Sequence, residues 1–284
     1  MVICEKSQIW KKLIETMSMA DEAGPYVCPL CRSSLSRSEE GYRCRFCRRV
    51  YSVKNEIPNF LTEPESESEN PMIRSVGTID KLAKIYETRL WYPIVYRVYG
   101  GINIPPVKET VERVTEMTDV QGGVVLDVAC GTGIYTRSIA RRAAKVYGID
   151  ISQGMLEQAR KLSEGEGLDN IVLSRADVEK LPFTDDFFDA ACCAGALHLF
   201  PDTVKALKEI ARVLKPEGPL AVMTFTRRRF LKYKFVYEHL RKDHGAHIFE
   251  IDELAGWLEE AGFKDFNPEI YGSMLLFNTR KTAD

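Results

Sequence analysis

Five short apolar runs alternate with amphipathic segments over the second half of the chain, and this alternation most constrains its fold. The runs predict strands, because they are short and rich in apolar residues, whereas the segments between them carry apolar residues at helical spacing. The predicted strands are 124–128, 145–149, 171–175, 190–194 and 220–225, and the predicted helices are 134–143, 152–163, 202–214 and 252–261. This alternation favours an α/β fold, a doubly wound parallel sheet with helices on both faces.

A glycine-rich turn follows the first predicted strand and opens the first helix. Residues 126–133 are Leu-Asp-Val-Ala-Cys-Gly-Thr-Gly, so Gly131 and Gly133 let the backbone approach a ligand at a helix N-terminus. The second strand ends in Asp150, nineteen residues after Gly131, where a carboxylate suits ribose hydroxyls. Thr136 stands where a dinucleotide-binding motif has its third glycine. The pattern predicts a cofactor cradle at this turn.

These residues resemble the first two motifs of class I S-adenosylmethionine-dependent methyltransferases, and further motifs follow in order. Residues 175–178 resemble the motif that contacts adenine, and residues 181–189 resemble the stretch before the fourth strand. Residues 209–216 and 257–263 are similar to the helix before the fifth strand and to the last helix, although Glu217 stands where glycine is usual. The resemblance implies a Rossmann-like core similar to that of quinone methyltransferases, with S-adenosylmethionine as the cofactor.

The resemblance also implies a set of cofactor-binding residues. The set is Asp127, Ala129, Gly131, Gly133, Asp150, Ile151, Met155, Asp177, Val178 and Ala194. Its three carboxylates would contact the polar groups of the cofactor. Asp127 would lie beside the methionine ammonium, Asp150 would bind the ribose and Asp177 would accept a hydrogen bond from the adenine amine. The apolar members that follow Asp150 and Asp177 contact the adenine ring. Asp177 also fits a simple helix cap.

Four of the eight cysteines form two C-x2-C pairs, Cys28 with Cys31 and Cys44 with Cys47, twelve residues apart. Two such pairs predict a tetrahedral Cys4 zinc site, and four thiolates close the coordination sphere, so its role is structural. A redox pair or chance clustering is the alternative. The segment resembles the zinc ribbon of ribosomal RNA guanine methyltransferases and the small zinc-ribbon partners of RNA- and protein-modifying methyltransferases.

Composition divides the rest of the chain. The predicted segments are an N-terminal helix (1–23), a zinc ribbon (24–62), an acidic linker (63–77) and a methyltransferase domain (78–284) with a helical cap (78–120) and an insertion (227–250). The net charge of −2 excludes a protein that holds nucleic acid or anionic membrane through bulk charge. Because neither a membrane span of about 18 apolar residues nor a signal peptide is visible, we expect a cytoplasmic protein.

The sequence constrains the methyl acceptor less than the cofactor. Residues 25–62 hold seven basic and three acidic side chains, which fits either RNA docking or solvated charge. The Asn/Asp-Pro-Pro-Tyr/Phe motif of exocyclic-amine methylation is absent, because residues 193–196 are Cys-Ala-Gly-Ala. We therefore favour a small-molecule acceptor, such as a ring or lipid-like compound, and keep RNA as the alternative. A third hypothesis, a non-catalytic cofactor-binding or scaffold protein, is disfavoured by the motif set.

Three side chains are candidates for catalysis. His198 follows the fourth strand, where the acceptor should lie, and either acts as a general base or lines the pocket. Tyr86 and Tyr92 belong to an aromatic cluster in the helical cap, which also holds Tyr96. We expect this cluster and the basic stretch 227–247 to close over the methyl group as a lid.

Other reactive residue types have simpler explanations beside the functional ones. His239, His244 and His247 lie in the basic insertion and fit either recognition of an anionic substrate or a solvated amphipathic helix. Cys192 and Cys193 suggest covalent catalysis, but small apolar residues in a central strand explain them better.

Overall fold

The computed structural model contains a small N-terminal sheet and a large mixed sheet covered by helices. It describes residues 24–63, 76–77, 80, 83, 97, 103–226, 247 and 249–283. The predicted helix at 1–23, most of the predicted linker and most of the insertion lie outside these residues. Tyr86, Tyr92 and Tyr96 of the predicted lid lie outside them too, as do His239 and His244.

Residues 24–63, which we call the ribbon, contain a four-stranded antiparallel meander. Its strands, paired in chain order, are β1 (Leu35–Ser38), β2 (Gly41–Cys44), β3 (Val50–Lys54) and β4 (Ile57–Pro58). One C-x2-C pair precedes β1 and the other joins β2 to β3. Tyr42, Tyr51 and Phe60 are buried, but so small a sheet has little apolar core of its own.

The large sheet has seven strands in the spatial order β10-β11-β9-β8-β5-β6-β7. The strands are β5 (Val124–Val128), β6 (Lys145–Asp150), β7 (Ile171–Arg175), β8 (Ala190–Ala194), β9 (Pro219–Phe225), β10 (Phe263–Tyr271) and β11 (Met274–Lys281). Strands β5 to β9 run parallel, whereas β11 runs antiparallel to both of its neighbours. The strand order reverses between β5 and β8, so the carboxyl ends of these strands form the crevice where open α/β sheets bind ligands.

Helices cover both faces of the large sheet. They are α1 (Val107–Met117), α2 (Ile134–Ala140), α3 (Gln153–Gly165), α4 (Thr203–Val213) and α5 (Ile251–Glu260). On one face α1 and α2 pack with Val125 and Met223, and on the other α4 and α5 pack with Leu126 and Val222. Successive residues of one strand thus enter opposite cores, because side chains alternate across a sheet.

The predicted doubly wound core is confirmed, with one edge of the sheet different from the prediction. All five predicted strands and four predicted helices are present. Helix α2 ends at Ala140 rather than 143, because the chain turns there and the Ala144 amide donates to the Gly123 carbonyl over 2.9 Å. The predicted parallel sheet is wrong at the β9 edge, where the hairpin β10–β11 adds the antiparallel strand β11 and a further strand, β10, neither of which was predicted.

Candidate functional site

The turn between β5 and α2 holds three residues in the left-handed backbone region. Their φ angles are 54° at Ala129, 54° at Gly131 and 83° at Gly133, which starts α2. A Cβ added at Gly131 would meet no atom within 4 Å, so open space lies against the backbone there. Ala129 adopts this conformation despite its side chain, which is strain of the kind found at ligand sites.

Asp150 ties this turn to the end of β6. Its carboxylate accepts hydrogen bonds from the backbone amide of Gly131 at 2.9 Å and from that of Ser152 at 2.8 Å. Burial raises the pKa of Asp150, and the nearby Asp80 carboxylate raises it further, while the backbone donors act in the opposite direction. The carboxylate is thus oriented between the glycine turn and the first turn of α3.

Asp127 is the buried carboxylate of the site. It is 1% exposed, and Oδ2 accepts from the Thr136 hydroxyl at 2.5 Å. Burial raises the pKa of Asp127 to about 7, with the charge of Asp150 adding to the effect. A carboxylate in this position would be stabilised by a cation, because a buried charge needs a partner of opposite sign.

The residues predicted to contact adenine lie on the loops after β6 and β7. Met155 and Val178 are buried, and Ile151 is half-buried. Asp177 accepts from the backbone amide of Glu179 at 3.0 Å and so caps the short 3-10 helix Val178–Lys180. The capping role is therefore present, and it occupies only one carboxylate oxygen. Ala194, half-buried, ends β8, which is separated from β6 by β5.

Asp80 is a neighbour of the site that sequence reasoning missed. Its Oδ1 accepts from the backbone amide of Gly154 at 3.0 Å and from the hydroxyl of Ser152. Ser152 in turn caps α3 by accepting from the amide of Met155 at 3.1 Å. Asp80 stands seventy residues upstream in no motif, so only the tertiary fold brings it to the first turn of α3.

His198 lies on the short 3-10 helix Leu197–Leu199 that follows β8. It is 3% exposed, its Nδ1 lies 3.3 Å from the hydroxyl of Thr224, and its ring packs edge-on against Phe225. Its carbonyl accepts from the amide of His247 at 2.7 Å, where the chain returns from the predicted insertion. Burial lowers the pKa of His198 to about 4, so the imidazole is neutral at physiological pH.

His247, the other histidine that the structure describes, and the strand cysteines take structural positions. The His247 ring packs on Phe249 and Trp257, with Nε2 3.4 Å from the Glu253 carboxylate. Cys192 and Cys193 are fully buried in β8, and burial raises the pKa of both thiols. This supports the apolar explanation for the two cysteines, since a reactive thiol needs exposure and a lowered pKa.

The four ribbon cysteines converge on one point. Their Sγ atoms all lie within 4.8 Å of one another, with Cys28 3.6 Å from Cys47 and Cys31 3.4 Å from Cys44. These distances exceed an S–S bond of about 2.05 Å and are close to the ~3.8 Å edge of a tetrahedron with Zn–S bonds of about 2.3 Å. The Tyr51 hydroxyl lies 3.1 Å from Cys28 Sγ, as an outer-shell partner of a metal ligand would.

Several basic side chains of the ribbon contact other groups within the protein. Arg32 pairs with Glu209 of α4 at 2.6 Å, and Arg43 pairs with Glu40 at 3.2 Å. Arg49 donates to the carbonyl of Thr62, and the guanidinium of Arg37 lies over the Tyr42 ring. Four of the seven basic side chains thus have intramolecular partners, which weakens the argument for RNA docking.

Comparison with known proteins places the chain in a family. A model of a methyltransferase domain matches residues 126–222. The demethylmenaquinone methyltransferase of Bacillus subtilis is 31% identical over 169 residues, which are 51% of this chain and 72% of that protein. The chain belongs to the class I S-adenosylmethionine-dependent methyltransferases.

Two further comparisons extend this result. A chloroplastic uncharacterized methyltransferase of Arabidopsis thaliana is 26% identical over 288 residues, covering 92% of this chain and 79% of its own. An alignment over 92% of the chain extends across the cysteine cluster as well as the large sheet. A methyltransferase structure from Aquifex aeolicus has the same fold, with a TM-score of 0.53 at 21% identity over 72% of this chain and 98% of that one.

The residues present fit S-adenosylmethionine. The buried Asp127 carboxylate suits the ammonium of a methionine group, and the open space at Gly131 suits a ligand lying against the backbone. Asp150 presents a carboxylate at the end of the neighbouring strand, as ribose binding requires. Among the described residues, no helix of this methyltransferase is long and apolar enough to cross a bilayer.

Proposed function

We propose that this methyltransferase transfers the methyl group to a small, apolar, ring-containing acceptor of the quinol type. The proposal rests chiefly on the similarity to the demethylmenaquinone methyltransferase of Bacillus subtilis, which covers 51% of this chain. The turn after β8 supports it. Residues 193–196, which end β8 and begin this turn, are Cys-Ala-Gly-Ala, small and apolar where an exocyclic-amine methyltransferase has Asn/Asp-Pro-Pro-Tyr/Phe.

The chain's own residues bind and orient the two reactants. Asp127 would pair with the ammonium of the methionine group, Asp150 would accept from the ribose hydroxyls, and Asp177 would accept from the adenine amine. Ala129, Gly131 and Gly133 would let the backbone lie close to the ligand. Bound S-adenosylmethionine supplies an electrophilic methyl group, so the protein's main task is in-line positioning of the acceptor nucleophile.

His198 would act on the acceptor as a neutral group. Its pKa of about 4 makes it a weak proton acceptor at neutral pH, and its contacts with Thr224 and Phe225 hold the ring in place. We propose that it lines the acceptor pocket and offers a hydrogen bond rather than removing a proton. The proposed lid, with Tyr86 and Tyr92, would complete the pocket from the helical cap.

The ribbon would bind one structural zinc ion through Cys28, Cys31, Cys44 and Cys47. The support is the convergence of four thiols within 4.8 Å on two C-x2-C loops. Four protein ligands leave no coordination position for a substrate. Zinc would therefore stabilise the ribbon and take no part in methyl transfer.

Transfer of a methyl label tests the acceptor class. The purified enzyme is incubated with methyl-tritiated S-adenosylmethionine and either a reduced naphthoquinol with an open ring position or total RNA. We expect label in the organic extract of the quinol reaction and none there with the Asp150→Ala variant. Label in the RNA fraction without label in the quinol extract would overturn the proposal in favour of an RNA substrate.

A further inference from the structure

The ribbon is built onto the carboxyl end of β7, the edge strand of the large sheet. The backbone amide of Phe60 donates to the Arg175 carbonyl over 2.7 Å, and Asn59 forms a parallel bridge with Arg175. On the other side of the ribbon, the Val27 amide donates to the Pro182 carbonyl over 2.9 Å. The ribbon thus holds the chain both before and after the predicted adenine-binding residues.

Aromatic packing makes the ribbon and the large sheet one continuous core. The ring of Tyr26 lies 4.8 Å from that of Phe60 within the ribbon, and 5.4 Å from Phe183 of the methyltransferase domain. Its hydroxyl lies 2.9 Å from the hydroxyl of Ser174 in β7. Tyr26, Phe60 and Phe183 are all buried. Detaching the ribbon would expose these rings, so the two parts are expected to move together.

Arg175 connects this interface to the cofactor site. Its carbonyl is the acceptor of the ribbon strand, whereas its Nε donates to the carbonyl of Ile151 over 2.7 Å. The amide of the next residue, Ala176, donates to the Asp150 carbonyl over 3.1 Å. Arg175 is only 7% exposed, so its bond to Ile151 is shielded from water. One residue therefore contacts both the ribbon and the loop that carries Asp150.

A second connection runs through Glu209 of α4. This carboxylate is buried and accepts from Arg32 of the ribbon at 2.6 Å and from the backbone amide of Leu181 at 3.0 Å. Leu181 directly follows the short helix capped by Asp177. The segment from Arg175 to Leu181 is thus fixed at both ends by groups that the ribbon contacts.

We propose that the ribbon is a positioning element for the adenosine half of the cofactor site, with Arg175 as the residue that transmits its effect. The proposal rests on the assignment of Asp150, Ile151 and Asp177 to the cofactor and is independent of the acceptor. Arg175 fixes the Ile151 loop, and the ribbon fixes Arg175. Loosening the ribbon then weakens cofactor binding before it unfolds the domain.

Binding of S-adenosylhomocysteine to the full chain, measured by calorimetry well below the melting temperature, tests the proposal. Arg175→Met keeps the apolar stem but removes the donor to Ile151, and we expect affinity to fall about tenfold. Arg175→Lys retains a donor and should recover part of the loss. Tyr26→Phe, which loses only the contact with Ser174, should weaken binding in the same direction. Arg160→Met breaks an exposed pair with Glu56 at the same interface and should leave affinity unchanged.

Amide hydrogen exchange distinguishes positioning from general destabilisation. In Arg175→Met and Tyr26→Phe we expect faster exchange at residues 150–155 and 176–178, with strand β9 unchanged. A lower melting temperature with unchanged affinity and unchanged local exchange would overturn the coupling. Unchanged affinity in Asp150→Ala would overturn the site assignment and the coupling together, whereas a loss in Asp150→Ala with none in Arg175→Met overturns the coupling alone.

Discussion

The backbone amide of Gly131 donates to the carboxylate of Asp150 over 2.9 Å, which joins the glycine turn after β5 to the end of β6. The same carboxylate accepts from Ser152 on its other oxygen. A group held from two sides needs little reorganisation to receive ribose hydroxyls, and such preorganisation increases affinity.

Replacing Asp150 should therefore weaken cofactor binding strongly. Asp150→Ala removes charge-assisted hydrogen bonds worth about 1.5–3 kcal/mol, which is roughly ten- to a hundredfold in affinity for S-adenosylhomocysteine. Calorimetry on the purified variant measures this. Asp252→Ala, at an exposed position in the first turn of α5, is the matched control and should bind normally. Equal affinity in both variants would contradict the assignment.

The pKa of Asp127 predicts a pH-dependent affinity. In the free protein, burial raises this pKa to about 7, above the ordinary value of about 3.9, so the carboxyl binds a proton more readily folded than unfolded. This contribution to stability is present at low pH and is lost as the pH rises through 7. A ligand ammonium favours the charged form, so affinity for S-adenosylhomocysteine should rise with pH up to about 7, by at most about tenfold per unit.

Calorimetry between pH 5.5 and 8.5 measures this slope. Asp127→Asn removes the negative charge that pairs with the ammonium, so the affinity should be lower. Because the amide does not titrate, the part of the slope that is due to Asp127 should vanish. The same slope in the variant and the parent would mean that another group titrates.

A glycine at position 217 should stabilise the protein. Glu217 has φ of 64°, where residues with a Cβ are strained, which explains why the family usually has glycine after Lys-Pro. Its pair with Lys264 at 2.7 Å is exposed and worth little. The left-handed conformation costs a residue with a Cβ about 1–2 kcal/mol, and glycine loses about 0.5–1 kcal/mol more in backbone entropy on folding. We therefore expect Glu217→Gly to raise the free energy of unfolding by about 0.5–1 kcal/mol in denaturant titrations. Lys264→Met, which removes the pair alone, should leave stability nearly unchanged; a comparable gain there would refute the backbone explanation.

The protein should contain about one zinc ion per chain, as four converging thiolates predict. Metal analysis by mass spectrometry should find it in the parent and not in a Cys44→Ser/Cys47→Ser double variant. A double variant at Cys192 and Cys193, both changed to Ala, should keep its zinc. Zinc absent from the parent, or equal in all three proteins, would contradict the assignment.

The proposed lid predicts that its tyrosines affect turnover without affecting stability. Tyr86→Phe or Tyr92→Phe should lower methyl transfer or raise the KM for the acceptor, with the melting temperature and the affinity for S-adenosylhomocysteine unchanged. His198→Asn should also lower methyl transfer, but it should lower the melting temperature as well, because the buried His198 ring packs against Phe225. Tyrosine variants that lose stability but keep turnover would show that the cluster is only core.

Local patterning was enough to predict the parallel core. Strands β5, β7 and β8 have the predicted bounds, because each is a short apolar run ended by a turn. The hairpin β10–β11 was missed because Pro268 and a charged exposed face make β10 look unlike a strand. The pairing of β11 with β9 is a long-range contact that no local sequence pattern predicts.

The proposed cofactor site likewise contains residues that local patterns locate and residues that they do not. Asp127, Gly131 and Asp150 lie at fixed distances from strand ends, so a sequence motif can locate them. Asp80 and Arg175 act through tertiary contacts, with the α3 first turn and with Ile151, and no spacing rule connects those positions. The burial that makes His198 neutral is likewise a property of the folded core rather than of the Leu-His-Leu segment.

The attachment of the ribbon to β7 also bears on self-association. The unpaired edge of a sheet is a template for pairing with another chain. The opposite edge, β10, carries a bulge between Lys264 and Asn267 and a proline at 268, both of which discourage such pairing. At β7 the corresponding protection is the ribbon itself, through Phe60 and the Arg175 carbonyl. A chain shortened to its methyltransferase domain would keep the methyltransferase motifs. It would expose the unpaired backbone of β7 and the aromatic rings that the ribbon covers, and it would be expected to aggregate.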